Sequence, residues 1–182
     1  MSSASVIEFG TFNPRRNLPP AIARKRGESN FVAAFQRDFT AEHAGRGVGG
    51  RHFELVGYGI ADFVWMDYGR DGKQACSTTA EPCLTAFEMK LKNWKRALSQ
   101  AYRYSYFSDC AIVVLPEDAA ERASAHLSDF QRLGVGLWSY DPKSEYIGKH
   151  FTPAGTKAKH PVARKKALDR ISRKVNLRKV RE

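Results

Sequence analysis

Apolar positions along the chain recur with two periods, and the switches between them mark out the elements. From Ser29 to Thr40, Phe31, Val32, Ala34, Phe35 and Phe39 fall on one helical stripe, with Ser29 or Asn30 as the cap. Phe53–Tyr58 and Ile60–Met66 are strand-like runs that pair as a hairpin, with Gly57 and Gly59 at the bend. Leu84–Lys92 is a third strand-like run. Asn93 then caps a helix whose buried stripe is Trp94, Ala97, Leu98, Ala101 and Ser105, while Arg96, Gln100 and Tyr104 line a polar edge. Cys110–Leu115 is continuously apolar, as a strand buried on both faces should be. Glu117–Leu133 reads as a helix with acids in its early turns and Gly134 past its end, and Val135–Tyr140 as a final strand. The order α-β-β-β-α-β-α-β predicts an α/β sandwich with a mixed central sheet.

Other segments lack this order. His43–Arg51 holds four glycines and is expected to be a mobile loop, since no Lys-Ser or Lys-Thr follows to make it a phosphate-binding loop. Residues 1–20 read as an irregular arm, and Arg15, Arg16, Arg24, Lys25 and Arg26 make a basic patch around its end. The expected organisation is this arm, one α/β domain over 21–142 and a basic tail over 143–182, partly helical or disordered.

Charge sharpens the division. Of a net +11, residues 143–182 carry 13 Lys or Arg against 3 acids, whereas residues 1–142 carry 17 against 16. A polycationic stretch attracts phosphate backbones through counterion release without reading sequence. Lys165 and Lys166 are candidate contacts in it. Its apolar residues Ala167, Leu168, Ile171, Val175 and Leu177 form a thin stripe with no aromatic anchor, so a membrane role is not expected, and the fold is expected to survive without residues 155–182. No apolar run reaches membrane-spanning length, and the first residues lack the apolar stretch of a secretory signal, so a cytoplasmic protein is expected. Three cysteines, Cys76, Cys83 and Cys110, suggest reduced thiols, although Cys76 and Cys83 could clip the segment between the strands. The five histidines show no mutual spacing and read as incidental.

Chemistry enters at Glu88-Met89-Lys90. A carboxylate and an ammonium two residues apart on a strand share a face, with Phe87, Met89 and Leu91 pointing to the other as core. With 19 acids among 182 residues, an acid-x-Lys triplet is expected about once by chance. The chain has three, but Asp71-Gly72-Lys73 lies in a turn signature and Asp141-Pro142-Lys143 is broken by proline. Only Glu88-Met89-Lys90 has strand residues on both sides. Asp62 is the isolated acid of the earlier run, sharing its face with Ile60, Val64 and Met66. If the two strands pair, Asp62 and Glu88 can share a divalent metal, with Lys90 beside them.

Acid strand, acid-x-Lys strand, helix and buried strand, in that order, resemble the PD-(D/E)xK nuclease superfamily over about Glu28–Leu115. Gln100 and Tyr104 also match the Gln-x-x-x-Tyr pattern of its recombination-exonuclease branch. The residue before Asp62 is Ala61, where the family motif has Pro. The resemblance implies a three-layer α/β/α sandwich with a mixed central sheet and a restriction-endonuclease-like αβββαβ core. It implies Mg²⁺, or Mn²⁺, held by Asp62, Glu88 and the Met89 carbonyl, with Lys90 aiding the attacking water. Gln100 is then a phosphate or water contact, and Glu28, opening the first helix, an outer ligand.

Two carboxylates, a lysine and a metal suit phosphodiester hydrolysis, which needs an activated water and a stabilised leaving oxygen. The expected function is therefore DNA cleavage, with Lys92, Arg96 and Arg103 gripping the backbone. A homodimer would supply the two sites needed to cut both strands. The competing expectations are a catalytically inactive DNA-binding module of the same fold and an RNA-binding basic protein.

Overall fold

The computed structural model describes residues 6–9, 22–69, 82–154 and 157–179. Seven strands form one mixed sheet in chain order: β1 (Val6–Glu8), β2 (Gly47–Leu55), β3 (Gly59–Asp67), β4 (Cys83–Met89), β5 (Cys110–Leu115), β6 (Val135–Asp141) and β7 (Tyr146–Phe151). The pairs β1·β2, β4·β5 and β5·β6 are parallel, and β2·β3, β3·β4 and β6·β7 antiparallel. The parallel pairs need crossovers, which helices α1 (Ile22–Glu42), α2 (Trp94–Tyr104), and α3 (Glu117–Ser124) with α4 (Leu127–Leu133) supply. Helix α5 (Pro161–Lys179) follows the last strand.

Both sheet faces are covered. On one, Phe31, Phe35 and Phe39 of α1 pack onto Phe63, Trp65, Phe87, Met89, Ile112 and Val114. On the other, Ala97, Leu98, Ala101 and Tyr104 of α2 join Val64, Met66, Leu84, Ala86 and Val113. The α/β sandwich and its mixed sheet are as the pattern predicts. Asn93 caps α2 as expected, its Oδ1 accepting from Arg96 N at 3.1 Å, and Gly134 ends α4 at φ 65°.

Several expectations need correction. Val6–Glu8 form β1 within the stretch read as irregular. Residues 1–5 and 10–21, the triplet at 71–73 and Cys76 lie outside the described residues, as do the side chains of Arg24, Lys25 and Arg26. Helix α1 begins at Ile22, seven residues before the expected cap, because its first turns carry polar residues that helices accept but periodicity does not mark. The glycine-rich segment is strand β2 from Gly47 onward. Its glycines admit aromatic rings against the backbone: a Cβ on Gly49 would lie 2.7 Å from the Phe63 ring, and one on Gly50 2.3 Å from the Phe9 ring. The expected single helix over 117–133 breaks at Ala125 and His126, where the His126 ring stacks on Trp94 with centroids 4.9 Å apart. Cys83 is disulfide-bonded, against the expectation of reduced thiols. Cys110 is free and buried, and burial raises its thiol pKa to about 12.

The largest correction concerns the basic end of the chain. The expected boundary at 142 falls between β6 and β7, so the sheet continues past it. Helix α5 buries Ala163, Ala167 and Ile171 in the same core as α2. Arg164 anchors it: Nε donates to Asp109 Oδ1 at 2.7 Å, and the same guanidinium donates to Pro82 O at 2.9 Å. Asp109 Oδ2 also accepts from Leu84 N at 2.9 Å. A thin stripe of small residues suffices because alanines let the helix approach the sheet closely. No helix among the described residues is long and apolar enough to cross a membrane.

Candidate active site

Register places the two strand acids together. Phe63 pairs with Phe87 across β3 and β4, so one step further sets Asp62 opposite Glu88. The ladder stops there, and the Asp62 side chain takes over from the backbone: Oδ2 accepts from Met89 N at 2.8 Å. Gln36 of α1 holds the Asp62 backbone, donating from Nε2 to its carbonyl at 3.2 Å. Lys90, just past β4, ties the two layers together. Its Nζ lies 2.8 Å from Glu88 Oε1 and 3.1 Å from Glu28 Oε1 on α1, and donates to Met89 O at 3.2 Å. Glu28, Asp62, Glu88, Met89 and Lys90 thus converge at the C-terminal end of β4.

Glu88 is only 1% exposed, so its face is not a solvated strand face. Burial disfavours its charged form, and the neighbouring Asp62 charge adds to this, raising its pKa to about 7 despite Lys90 and Tyr104. Asp62 is also raised, chiefly by burial, with Lys90 and the Met89 N–H working against the shift. Burial alone would lower Lys90, but the Glu88 and Asp62 carboxylates outweigh it and hold the ammonium charged. Lys90 Nζ is thus the close charged partner of Glu88 Oε1.

Tyr104 was not among the expected site residues, and its place on a polar helix edge is corrected: it is fully buried. Its hydroxyl lies 2.6 Å from Ile60 O and 2.6 Å from Glu88 Oε2. One phenolic proton cannot fully serve two acceptors. Shared between the Ile60 carbonyl and Glu88 Oε2, that proton only partly offsets the burial that raises the Glu88 pKa.

His52 also belongs here, although spacing marked it as incidental. Arg51 pairs with Phe63 and Phe53 with Ala61, so His52 stands opposite Asp62 on the side away from Glu88. Both strands change phase at this point. Val48 before His52 and Phe53 and Leu55 after it join one core layer, as do Ala61 before Asp62 and Val64 and Met66 after it. Strict alternation forbids this, so Asp62 does not share a continuous face with Ile60 and Val64 as expected. His52 absorbs the turn in β2 with φ 49°, a left-handed conformation costly for a residue with a Cβ. Its Nδ1 lies 2.6 Å from Glu8 Oε1.

The remaining expected residues divide. Gln100 stands one helical turn before Tyr104, and its Oε1 is buried without a hydrogen-bond partner among the described residues. Lys92, Arg96 and Arg103 are exposed. Lys165 and Lys166 are exposed too, but they follow Arg164, which binds at Pro82 at the start of β4. From Leu84 to Glu88 that strand advances about 13 Å, so the structure does not gather these lysines with the carboxylates. Arg170 comes nearer, lying 5.8 Å from the Phe53 ring beside the β3 irregularity.

The buried acid makes stability depend on pH. The folded state holds the Glu88 proton up to about pH 7, whereas the ordinary value is 4.5. Folding therefore binds a proton between these values, and stability falls as pH rises through that window. The loss is on the order of 3 kcal/mol. Urea unfolding at pH 5.5 and pH 8 should show about 2 kcal/mol of it, and Glu88→Gln should flatten the difference. An equal slope in both proteins would place the titrating group elsewhere.

Among the described residues, no group of three or more His, Cys, Asp or Glu is placed to hold a metal ion. Comparisons with protein-family models, with curated proteins and with solved structures find no match to this chain.

Proposed function

We propose that the chain is a Mg²⁺-dependent deoxyribonuclease built on a restriction-endonuclease-like core. The observation that carries the reading is the opposition of Asp62 and Glu88 across β3 and β4, with Lys90 bridging to Glu28. The order α1, β2, β3, β4, α2, β5 is also the αβββαβ order that the sequence resemblance implies.

The residues present fit a hydrated Mg²⁺ ion, which protein sites hold through one or two carboxylates with several waters retained. The buried Glu88 carboxylate and the half-buried Asp62 carboxylate stand opposite one another with Lys90 as the close cation, and two such charges favour a further cation between them. Asp62, Glu88 and the Met89 carbonyl would hold the ion. When bound, it supplies Lewis-acid polarisation of the phosphate and a water of lowered pKa. The protein's own groups do the rest. The Met89 N–H aims the Asp62 carboxylate, and Tyr104 aims that of Glu88. Lys90 Nζ orients the attacking water and stabilises charge growing on the phosphate. Gln100 offers an amide to a phosphate oxygen or that water, while Arg96, Lys92 and Arg103 grip the DNA backbone.

One observation favours a second reading. Lys90 already pairs with both Glu88 and Glu28, as it would in a catalytically silent DNA-binding module that never takes a metal. Calorimetric titration with Mn²⁺ separates the two. The nuclease reading expects binding that Asp62→Ala/Glu88→Ala loses, and that strengthens as pH rises through about 7, because the ion must displace the Glu88 proton. Equal titration curves for parent and double variant would rule out the assignment.

A further inference from the structure

The turn between β2 and β3 and the end of α2 carry a strip of aromatic and basic side chains of which the hydrolytic site uses only Arg103. Tyr58, Tyr102 and Tyr106 are each half-buried. The Tyr106 ring centroid lies 6.0 Å from that of Tyr58 and 6.0 Å from that of Tyr102. Exposed Lys159 places Nζ 3.8 Å from the Tyr102 centroid and 5.5 Å from that of Tyr106. Exposed Arg103 stands beside the turn: a Cβ on Gly59 would lie 3.9 Å from its guanidinium.

This strip runs directly into the site. The residue after Gly59 is Ile60, 53% exposed, and its carbonyl meets the Tyr104 hydroxyl that also reaches Glu88. Part of the strip is tethering: Lys159 N donates to Ser105 O and His160 N to Tyr106 O, which fixes the chain ahead of α5. Tyr58 and Tyr102 also pack one side against the core, but neither that packing nor the backbone bonds require three half-exposed tyrosines with a lysine laid over two of them.

We infer that this strip binds single-stranded DNA leading to or from the carboxylates, with bases stacking on Tyr58 and Tyr106 and phosphates held by Arg103 and Lys159. The inference rests on the nuclease reading and names its substrate class. Charge complementarity alone would suit any DNA. The tyrosine rings decide, because a duplex hides its base faces within the stack and only unpaired bases can present them. Stacking on an aromatic ring tolerates any base, so the strip supplies affinity without sequence preference.

The test is fluorescence anisotropy with a labelled oligo-dT strand and a duplex of equal length, in EDTA so that nothing is cleaved. The parent is expected to bind the single strand at least tenfold more tightly than the duplex. Tyr58→Leu and Tyr106→Leu should each weaken single-strand binding about tenfold and leave duplex binding unchanged. Tyr58→Phe and Tyr106→Phe, which keep the ring, should bind as the parent does. If a leucine variant melts early, Arg103→Gln/Lys159→Gln replaces it, and should lose single-strand affinity while its salt slope flattens. Equal or tighter binding of the duplex by the parent overturns the inference, as does parent-like binding by the leucine variants or, where it replaces them, by the glutamine pair. Because the assay needs no hydrolysis, loss of the nuclease reading would appear separately, as absence of Mg²⁺-dependent cleavage.

Discussion

Lys90→Ala is expected to slow single-turnover DNA cleavage by a factor of about 100 to 1,000, the size associated with losing one donor to a developing oxyanion. An ammonium here matters most as charge grows on the phosphate, so its effect belongs to the transition state. A binding titration without Mg²⁺ should change far less, because exposed Arg96, Lys92 and Arg103 share the ground-state attraction. Lys90→Arg should not restore full activity. The site seats a compact cation 2.8 Å from Glu88 and 3.1 Å from Glu28, and a planar guanidinium cannot occupy that point. Cleavage by Lys90→Ala at the parent rate would reduce the cluster to a structural ion pair.

The second large effect is on stability. Arg164 and Asp109 form a largely buried pair, with side chains 16% and 6% exposed. Removing the guanidinium takes away the charged partner of a buried carboxylate, which costs on the order of 3 kcal/mol. Arg164→Ala should therefore melt about 10 °C below the parent. Deleting α5 should unfold the domain, since Ala163, Ala167 and Ile171 leave the core with it. Lys165→Ala and Lys166→Ala, at exposed positions, should melt with the parent. Thermal melts of the four variants beside the parent decide the matter. An α5 deletion that melts with the parent would return this segment to the detached tail its composition suggests.

The contrast between α5 and β4 explains what the sequence makes legible. Strand periodicity is local, so Glu88 and Lys90 flanking Met89 could be read from three residues, and the order of elements around them followed. Asp62 opposite Glu88 depended on a pairing that spacing only permitted. The docking of α5 rests on alanines and one arginine, and Arg164 looks like any other charge in a run of 13 basic residues. Its partner Asp109 lies 55 positions away. Tyr104 reads as part of a polar edge because it recurs at four-residue spacing with Arg96 and Gln100; its ring packs in the core and the hydroxyl reaches Glu88. His52 left no mark at all, since a positive φ at a residue other than glycine has no sequence signature and its place beside Asp62 depends on register. The glycines of β2 misled for a related reason. Glycine signals a turn unless a ring from another strand requires the space, and Phe63 and Phe9 are known to do so only once the sheet is built.

The central claim is that Asp62 and Glu88 form the metal-dependent centre of a nuclease. It is tested most directly by incubating the protein in excess over duplex, branched and single-stranded DNA, with Mg²⁺ or with EDTA, beside the Asp62→Asn/Glu88→Gln variant. These amides keep the size of the side chains and remove the charge that holds the ion. The account predicts cleavage of at least one substrate by the parent in Mg²⁺, none in EDTA and none by the variant. Cleavage by the variant at the parent rate, or no cleavage of any substrate by the parent, would contradict it.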